Sequence, residues 1–339
     1  MNNAPAKVTA LDVARLAGVS QSAVSRVFTP GASASESTAA KVRAAAAKLG
    51  YRPDPLARAM ITGRTRLIGL VVAYLENQFY PVALEHLSRV LQAKGYRILI
   101  FMADNSSGKV SQVIQEFLDY QVDGIITASV AMTSELTARC HAAGIPVVMF
   151  NRGQDDSGLS EVTSDNVEGG RRAARHLIET GHRRIAHVMG WQGSSTGRDR
   201  ARGFEEALRE AGLQPVGMID GMYSREEAIR ATRALMTATS RPDAIFVGND
   251  HMAFAVLDCL RFEFGLSVPG DVSVIGFDDV PMASWPAYSL TTIRQPVGPM
   301  VDATVDILLN QIDGETSPSR IRIAGPLIER GSVRTRTTR

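Results

Sequence analysis

Residues 8–28 read VTALDVARLAGVSQSAVSRVF, and this stretch decides the fold of the amino-terminal part of the chain. Thr9 and Asp12 have the spacing of a capping box, although Asp replaces the usual Glu or Gln. A short helix is expected to follow and to end at Gly18, since glycine accepts the left-handed conformation of a helix end. Its apolar residues are predicted on one inner face: Val13, Leu16 and Ala17.

Two more helices are expected before residue 52. Ser20 can cap a second helix over 21–28, in which Val24 and Val27 face inward. Ser35 can start a third, alanine-rich helix that ends near Gly50, ahead of Pro53. The small side chain of Ala14 lets the first two helices cross closely, so the pattern indicates a helix-turn-helix unit.

The predicted second helix exposes Gln21, Ser22 and Arg26 on one outward face. A recognition helix needs such polar side chains near its amino-terminal end, where they reach base edges in the major groove. Gln can pair with adenine and Arg with guanine. Short hydroxyl side chains around the helices suit phosphate contacts: Thr9, Ser20, Ser25 and Ser35. The alternative is an ordinary helical hairpin with a solvated face.

The charge distribution points the same way. Residues 1–66 hold ten basic and three acidic residues, a net of +7, and the whole chain is +2, which leaves −5 for the rest. A basic head on an acidic body indicates a polyanionic partner, although a basic face in contact only with water would have the same composition.

Composition limits the other classes of protein. With 339 residues, 45% hydrophobic and 21% charged, the chain is expected to form two or three globular domains. No apolar run approaches the roughly 20 residues that span a bilayer, and residues 1–7 lack the apolar region of a signal peptide, so no membrane contact and a cytoplasmic, nucleoid-associated location are expected. Cys140 and Cys259 form no cluster and are expected to be buried thiols, with no metal site and no cofactor.

From Leu67 onward, short apolar strands alternate with helical stretches, which predicts parallel sheets with crossover helices. The strand candidates are 67–73, 96–102, 124–127, 146–150, 184–189, 244–247 and 272–276. The stretch that begins DGIIT at Asp123 is echoed by DAIFV at Asp243, and each leads through a helix to a glycine and another strand. Two similar lobes with one cleft between their strand ends are therefore expected.

At this point the chain resembles the lactose-repressor (LacI/GalR) family over essentially its whole length. The resemblance rests on the order and spacing of many short pieces. From the head to the start of the first strand they are DVA from Asp12, AGVS from Ala17, VSRV from Val24, KLGYRP from Lys48 and LIGL from Leu67. In the body they are DGII from Asp123, HLI from His176, GHRRIA from Gly181, ND at Asn249, IGFDD from Ile275 and LTTIRQP from Leu290.

The resemblance implies an all-α headpiece over 8–52, a hinge over 53–65, and an α/β two-lobed sensor of periplasmic-binding-protein type over 66–332, followed by a tail at 333–339. Lobe 1 is expected to comprise about 66–164 and 296–322, and lobe 2 about 165–292 and 323–332. Gln21, Ser22 and Arg26 would read bases, and the hinge would contact DNA through Ala57 and Met60. Met60 stands where the family has a leucine wedge; packing against its dimer mate is the alternative.

The resemblance also places a small-molecule effector between the lobes. Candidate wall residues follow the predicted strands: Phe79, Tyr80, Asn151, Arg152, Trp191, Arg198, Asn249, Asp278 and Trp285. Arg152 and Arg198 favour a sugar acid or sugar phosphate over a neutral sugar, with purines less favoured. Either arginine could instead pair with Asp165 or Asp278, and the tryptophans could simply pack.

These observations predict a ligand-responsive transcription regulator, a homodimer on pseudo-palindromic operator DNA, which represses carbohydrate-related genes. Release by an inducer is the logic that the resemblance favours, with corepression as the alternative. An enzyme is disfavoured because the loop Gly190, Gly193, Gly197 matches no phosphate-binding motif and the six histidines are scattered. A transport-type binding protein is disfavoured by the helix-turn-helix unit. Residues 330–339 carry no apolar heptads that would predict a tetramer.

Overall fold

Three helices make up the described part of the first compact unit, which ends at Arg66. The computed structural model describes residues 8–29, 32–52, 63–103, 107–130, 132–155 and 158–335, with the side chains of 107 and 108 left out. The helices are α1 (Ala10–Ala17), α2 (Gln21–Phe28) and α3 (Glu36–Leu49). Their small core consists of Val13, Ala14, Val24, Val42, Ala45 and Ala46.

The predicted helix ends are confirmed. The Asp12 carboxylate accepts hydrogen bonds from the Thr9 N–H at 3.0 Å and the Thr9 hydroxyl at 2.7 Å. Gly18 has a φ of +66°, which closes α1 in the left-handed conformation. Ser20 Oγ accepts from the Ala23 N–H at 3.2 Å, and Ser35 Oγ accepts from the Thr38 N–H at 3.3 Å.

The predicted inner face of α1 was wrong at one position. Leu16 is 46% exposed, whereas Val13 is fully buried and Ala17 packs against the core. Ala14 is buried and takes the inner place one turn before Gly18. Because the α3 residues in this core include the small Ala45 and Ala46, the three helices pack closely and fill the core without Leu16.

The second compact unit, Leu67–Arg339, contains two six-stranded sheets. The first sheet has the order β11-β5-β4-β3-β1-β2, all parallel. Its strands are β1 (Leu67–Val72), β2 (Arg97–Met102), β3 (Gly124–Ala128), β4 (Val147–Phe150), β5 (Ser160–Ser164) and β11 (Arg320–Ile323). Its helices are α4 (Phe79–Ala93), α5 (Ser107–Asp119), α6 (Ser134–Ala142) and α11 (Val297–Ile312).

The second sheet has the order β12-β10-β9-β8-β6-β7, with β12 antiparallel to β10 and the other pairs parallel. Its strands are β6 (Ile185–Met189), β7 (Gly217–Asp220), β8 (Ala244–Val247), β9 (Ser273–Asp278), β10 (Thr291–Arg294) and β12 (Leu327–Ile328). Its helices are α7 (Asn166–Glu179), α8 (Ser195–Glu210), α9 (Arg225–Thr237) and α10 (Asp250–Asp258), which continues as a π-helical turn, Cys259–Glu263.

The two sheets correspond strand for strand, so the echo of 123–127 in 243–247 reflects β3 and β8 in equivalent places. The chain passes between them three times, at 164–166, 294–297 and 323–327. Buried strands such as β1, β3 and β8 are apolar because helices cover both faces. Among the described helices, none is long and apolar enough to span a membrane.

Candidate functional site

Helix α2 presents the predicted base-reading side chains to solvent. Gln21, Ser22 and Arg26 are all exposed, and Ser22 and Arg26 lie one turn apart on the same side of the helix. Ser20 Oγ and Ser22 Oγ are 2.9 Å apart, so the capping residue also holds its neighbour. The buried face of α2 is fixed by Val24, which leaves the polar face free to meet a groove.

The predicted phosphate contacts surround this helix. Thr9, Ser20 and Ser35 are exposed N-cap residues, and each hydroxyl is already part of a local cap. Ser25 is half-buried, and its carbonyl accepts a hydrogen bond from the Thr29 hydroxyl at 2.9 Å. Ala57 and Met60 lie outside the described residues, as does most of the hinge.

The second candidate site lies where strand ends of the two sheets face each other. The carboxyl ends of parallel strands collect at one edge of a sheet, and here both such edges line a narrow cavity of about 10 Å³, the room of about one water molecule. Its walls are Tyr74, Asn77, Tyr80, Asn151, Arg152, Thr196, Arg200, Tyr223, Asn249, Asp278 and Gln295. The first five belong to the first lobe, so a ligand here touches both.

Asp278 is the centre of this cavity. Its Oδ2 accepts a hydrogen bond from Asn77 Nδ2 of the first lobe at 3.0 Å, and its Oδ1 accepts from Gln295 Nε2 at 2.7 Å. Arg200 Nη1 lies 3.8 Å from the same Oδ1. The carboxylate therefore joins both lobes and one of the three crossing segments through a single buried network.

Arg200, on α8, was not predicted and is the most deeply held cation of the cavity. It is 3% exposed, donates from Nε to Asn166 Oδ1 at 2.9 Å and from Nη1 to the Gly248 carbonyl at 2.5 Å, and lies 3.6 Å above the Phe277 ring. Because these contacts fix the guanidinium and its charge faces Asp278 at 3.8 Å, Arg200 orients the carboxylate.

Close helix packing brings Arg200 to this depth. A Cβ on Gly170 of α7 would lie 2.1 Å from the Arg200 carbonyl, and a Cβ on Gly203 of α8 would lie 1.9 Å from the Val167 carbonyl. Only glycine allows the two helices to approach so closely at both places. The glycine pair is a sequence signal that could have indicated this crossing but was not used to predict it.

A second buried carboxylate, Asp250, lies behind Asp278. Burial, with the nearby Asp278 charge, raises the pKa of Asp250 to about 7, although hydrogen bonds from Thr292 Oγ1 at 2.7 Å and the Val280 N–H at 3.0 Å oppose this. Burial also raises the pKa of Asp278, while Arg200, Asn77 and Gln295 lower it. Asp278 is thus the residue of the pair that is ionised more readily, and Asp250 is the residue that keeps its proton more readily.

The wall from the first lobe contains polar atoms without partners. Asn151 Nδ2 donates to Tyr80 Oη at 3.1 Å, and Tyr80 Oη is hydrogen-bonded to Ser129 Oγ. Asn151 Oδ1 is buried and accepts no hydrogen bond from the described residues. Burial raises the pKa of both Tyr74 and Tyr80, so both phenols stay neutral donors.

The nine predicted effector residues are thus only partly brought together. Tyr80, Asn151, Arg152, Asn249 and Asp278 line the cavity, and Trp191 and Arg198 line an adjoining one. Two others lie elsewhere: Phe79 is buried in the core against Phe150, and Trp285 is half-exposed beyond a 3₁₀ turn, outside the described lining. Cap geometry also engages Asn249, whose Oδ1 accepts from the Met252 N–H at 2.9 Å.

Arg152 and Arg198 have partners other than the two acidic residues, Asp165 and Asp278, that the sequence offered as alternatives. Arg198 pairs with Asp155 at 3.6 Å, and Arg152 donates to the Ser129 carbonyl at 2.9 Å, so neither pairs with Asp165 or Asp278. The residue that pairs with Asp278 is Arg200. Among the described residues, no cluster of histidine, cysteine or acidic side chains could hold a metal ion.

Comparison with known proteins covers both candidate sites. The family model for bacterial regulatory proteins of the lacI family matches residues 9–54, and a periplasmic binding protein-like domain matches residues 174–333. The HTH-type transcriptional repressor PurR of Pectobacterium carotovorum subsp. carotovorum (strain PC1) is 34% identical over 330 residues, 96% of each chain. The ribose operon repressor of Escherichia coli (strain K12) is 33% identical over 331 residues, 96% of this chain and 99% of that one.

The solved structures agree with these relatives. The lac repressor dimer bound to operator and the anti-inducer ONPF has a TM-score of 0.86 with 27% identity. The match covers 96% of this chain and 98% of that one, so it includes the head, both lobes and the crossing segments.

Proposed function

Because this chain belongs to the lacI family of bacterial regulatory proteins, we propose that it is a homodimeric repressor of carbohydrate-related genes. A small molecule that binds between its lobes weakens its binding to operator DNA. The family establishes a DNA-binding regulator that responds to a ligand. The homodimer, the genes and the sign of the response are our proposals. Operator DNA lies in the cytoplasm, so we propose that the protein works there, on the nucleoid.

One observation carries the proposal: Asp278 of one lobe is hydrogen-bonded to Asn77 of the other, inside a cavity lined from both sheets. Gly153 and Ser195 add a second bond between the lobes, from N–H to Oγ at 3.1 Å. A ligand that inserts among these groups binds one lobe arrangement better than another and so shifts their equilibrium. The relatives named as repressors, one of them of a ribose operon, support the carbohydrate link.

For the DNA site we propose that Gln21, Ser22 and Arg26 read bases, that the N-cap hydroxyls hold phosphates, and that Ala57 and Met60 contact the minor groove. For the effector we propose the described cavity, with Arg200 added to the residues expected from the sequence. We also propose the predicted domain boundaries as the working division of the chain.

Selection of duplexes from a randomised DNA pool tests the first half of the proposal. We expect a pseudo-palindromic site, because a two-fold protein matches a two-fold site. Arg26→Ala should reduce binding to this site, whereas Arg230→Ala, an equal loss of charge on the exposed face of α9, should not. Enrichment of no sequence by the wild-type protein would contradict the proposal.

Operator release tests the second half. The selected duplex is titrated with the protein and then challenged with sugars, sugar acids, sugar phosphates and purines. We expect release by one class and recovery of the ligand unchanged, since we propose a binding role and not catalysis. Tighter binding in place of release would reverse the sign to corepression, and chemical conversion of the ligand would contradict the non-enzymatic role.

A further inference from the structure

Arg152 is a buried cation whose charge the described protein does not neutralise. It is 7% exposed, its Nη1 donates to the Ser129 carbonyl at 2.9 Å, and its Nε is buried with no hydrogen-bond partner. Of the described carboxylates, none lies within ion-pair distance, in contrast to Arg200. A buried charge is unfavourable unless it is paired, and the ring of Trp191, 5.6 Å from the guanidinium carbon, compensates only in part.

The cavity beside Arg152 ends on the first turn of α8. This space, about 210 Å³, is lined by Arg152 from the first lobe and by Ser194 and Ser195 from the second. Ser194 is the N-cap of a 16-residue helix, and its Oγ accepts from the Gly197 N–H at 3.2 Å. No described residue accepts from the N–H groups of Ser195 and Thr196, which leaves two donors at the positive end of the helix.

A second arginine adds to the positive character of the same cavity. Arg198, one turn into α8, lines it, and among the described residues its one ion pair is with Asp155, whose side chain is 89% exposed. Such an exposed pair is weak and leaves the guanidinium available to a ligand. The charged residues that line the cavity are therefore two arginines against one carboxylate.

We propose that the effector carries an oxyanion, a carboxylate or a phosphate, which binds between the Arg152 guanidinium and the first turn of α8. This inference rests on the proposed effector cavity and names the class of ligand that it takes. Arg152 lines both cavities, so a ligand anchored at Arg152 lies beside the central one. There Asn151 Oδ1 accepts a hydrogen bond from a ligand hydroxyl, which makes the ligand a hydroxylated anion.

An anion at this place would contact residues of both lobes and so stabilise their present arrangement. Arg152 belongs to the first lobe and α8 to the second, and Gly153 N–H already donates to Ser195 Oγ across the same gap. An oxyanion accepts from both sides at once, whereas a neutral hydroxyl leaves the buried guanidinium uncompensated.

Matched pairs of compounds test the proposal on the full-length protein. D-gluconate is compared with D-glucose, ribose 5-phosphate with ribose, and inorganic phosphate is added alone. The readouts are the melting temperature and the tryptophan fluorescence, to which Trp191 and Trp285 both contribute. We expect an anionic member to stabilise the protein more than its neutral partner, and the pair that responds distinguishes a carboxylate from a phosphate.

Substitutions then locate the anion. Arg152→Gln should weaken binding of the responding anion by about tenfold or more, and Arg152→Lys should recover part of it. Arg209→Gln, an exposed arginine in the last turn of α8, is the matched control and should leave binding unchanged. The lysine variant separates lost charge from lost folding, because it keeps the charge in place.

Three results overturn the proposal: stabilisation by neutral sugars or purine bases alone, stabilisation by none of the anions, or unchanged anion binding in Arg152→Gln. Failure of the repressor proposal is distinguishable, because the selection of operator DNA is done without any ligand. A protein that enriches no duplex but binds the anion through Arg152 retains this inference and loses the other.

Discussion

Replacing Arg200 with methionine tests the buried network that organises the cavity. The change removes hydrogen bonds to Asn166 Oδ1 and the Gly248 carbonyl and leaves the Asp278 carboxylate without its cation. Two hydrogen bonds to a charged donor contribute about 1.5–3 kcal/mol each, and part of this is offset because Arg200 no longer has to be desolvated. Loss of one partner of a buried pair costs about 3–5 kcal/mol, which is the decrease in unfolding free energy that we expect.

Urea denaturation at fixed protein concentration measures this decrease. Arg209→Met, on the exposed last turn of the same helix, is the control and should stay within about 0.5 kcal/mol of the wild type. Adding Asp278→Asn to Arg200→Met should restore at least about 1 kcal/mol, because the amide carries no charge to leave unpaired. A loss below about 1 kcal/mol for Arg200→Met, or no recovery in the double variant, would refute a network centred on this ion pair.

Three further predictions concern DNA, ligand and pH. Arg26→Ala should weaken operator binding by about 1–3 kcal/mol and relax the sequence preference at one base pair. If a binding assay shows equal weakening on all DNA sequences, Arg26 contacts only phosphate. Asp278→Ala should abolish ligand-dependent operator release while the unliganded protein still binds operator, and a normal release curve would remove Asp278 from the site. The Asp250 carboxyl has a pKa of about 7 in the folded protein against 3.8 in the unfolded chain, so between these values the folded protein holds a proton that the unfolded chain releases. The free energy of unfolding should therefore fall as the pH rises from about 4 to about 7. Asp250→Asn should flatten this slope, and an unchanged slope would assign the pH dependence to other groups.

The headpiece could be predicted almost residue by residue because its signals are local. Caps at Thr9, Ser20 and Ser35 and the turn at Gly18 act within four residues, so a linear pattern is enough. Leu16 was misplaced because the face that a short helix buries depends on how its neighbours pack.

Whether a strand could be predicted from the sequence depended on its hydrophobicity. All seven apolar strands were predicted, whereas β5 (SEVTS), β7 (GMID), β10 (TTIR), β11 (RIRI) and the two-residue β12 were missed. These strands carry no long apolar run, so it is pairing with other strands that defines them. Ser160–Ser164, for example, is paired by a strand some 160 residues later.

The site shows the same limit. Residues at the carboxyl end of a strand, such as Asn151 directly after β4 and Asp278 at the end of β9, were found because the topology fixes them. Arg200 was missed in favour of Arg198, because two residues along a helix turn a side chain by about 200° and only packing against Gly170 decides which of them faces inward.

The three passages between the sheets have a consequence for synthesis on the ribosome. The first sheet and its covering helices lack α11 and β11 until residue 323 has been translated, after nearly all of the second sheet. Meanwhile β5 has no neighbour on its outer side, and the faces of α4, β4 and β5 that α11 covers stay open. The lobe that begins first in the gene is therefore finished almost last, and neither lobe corresponds to a contiguous stretch of the message that could be moved to another gene on its own.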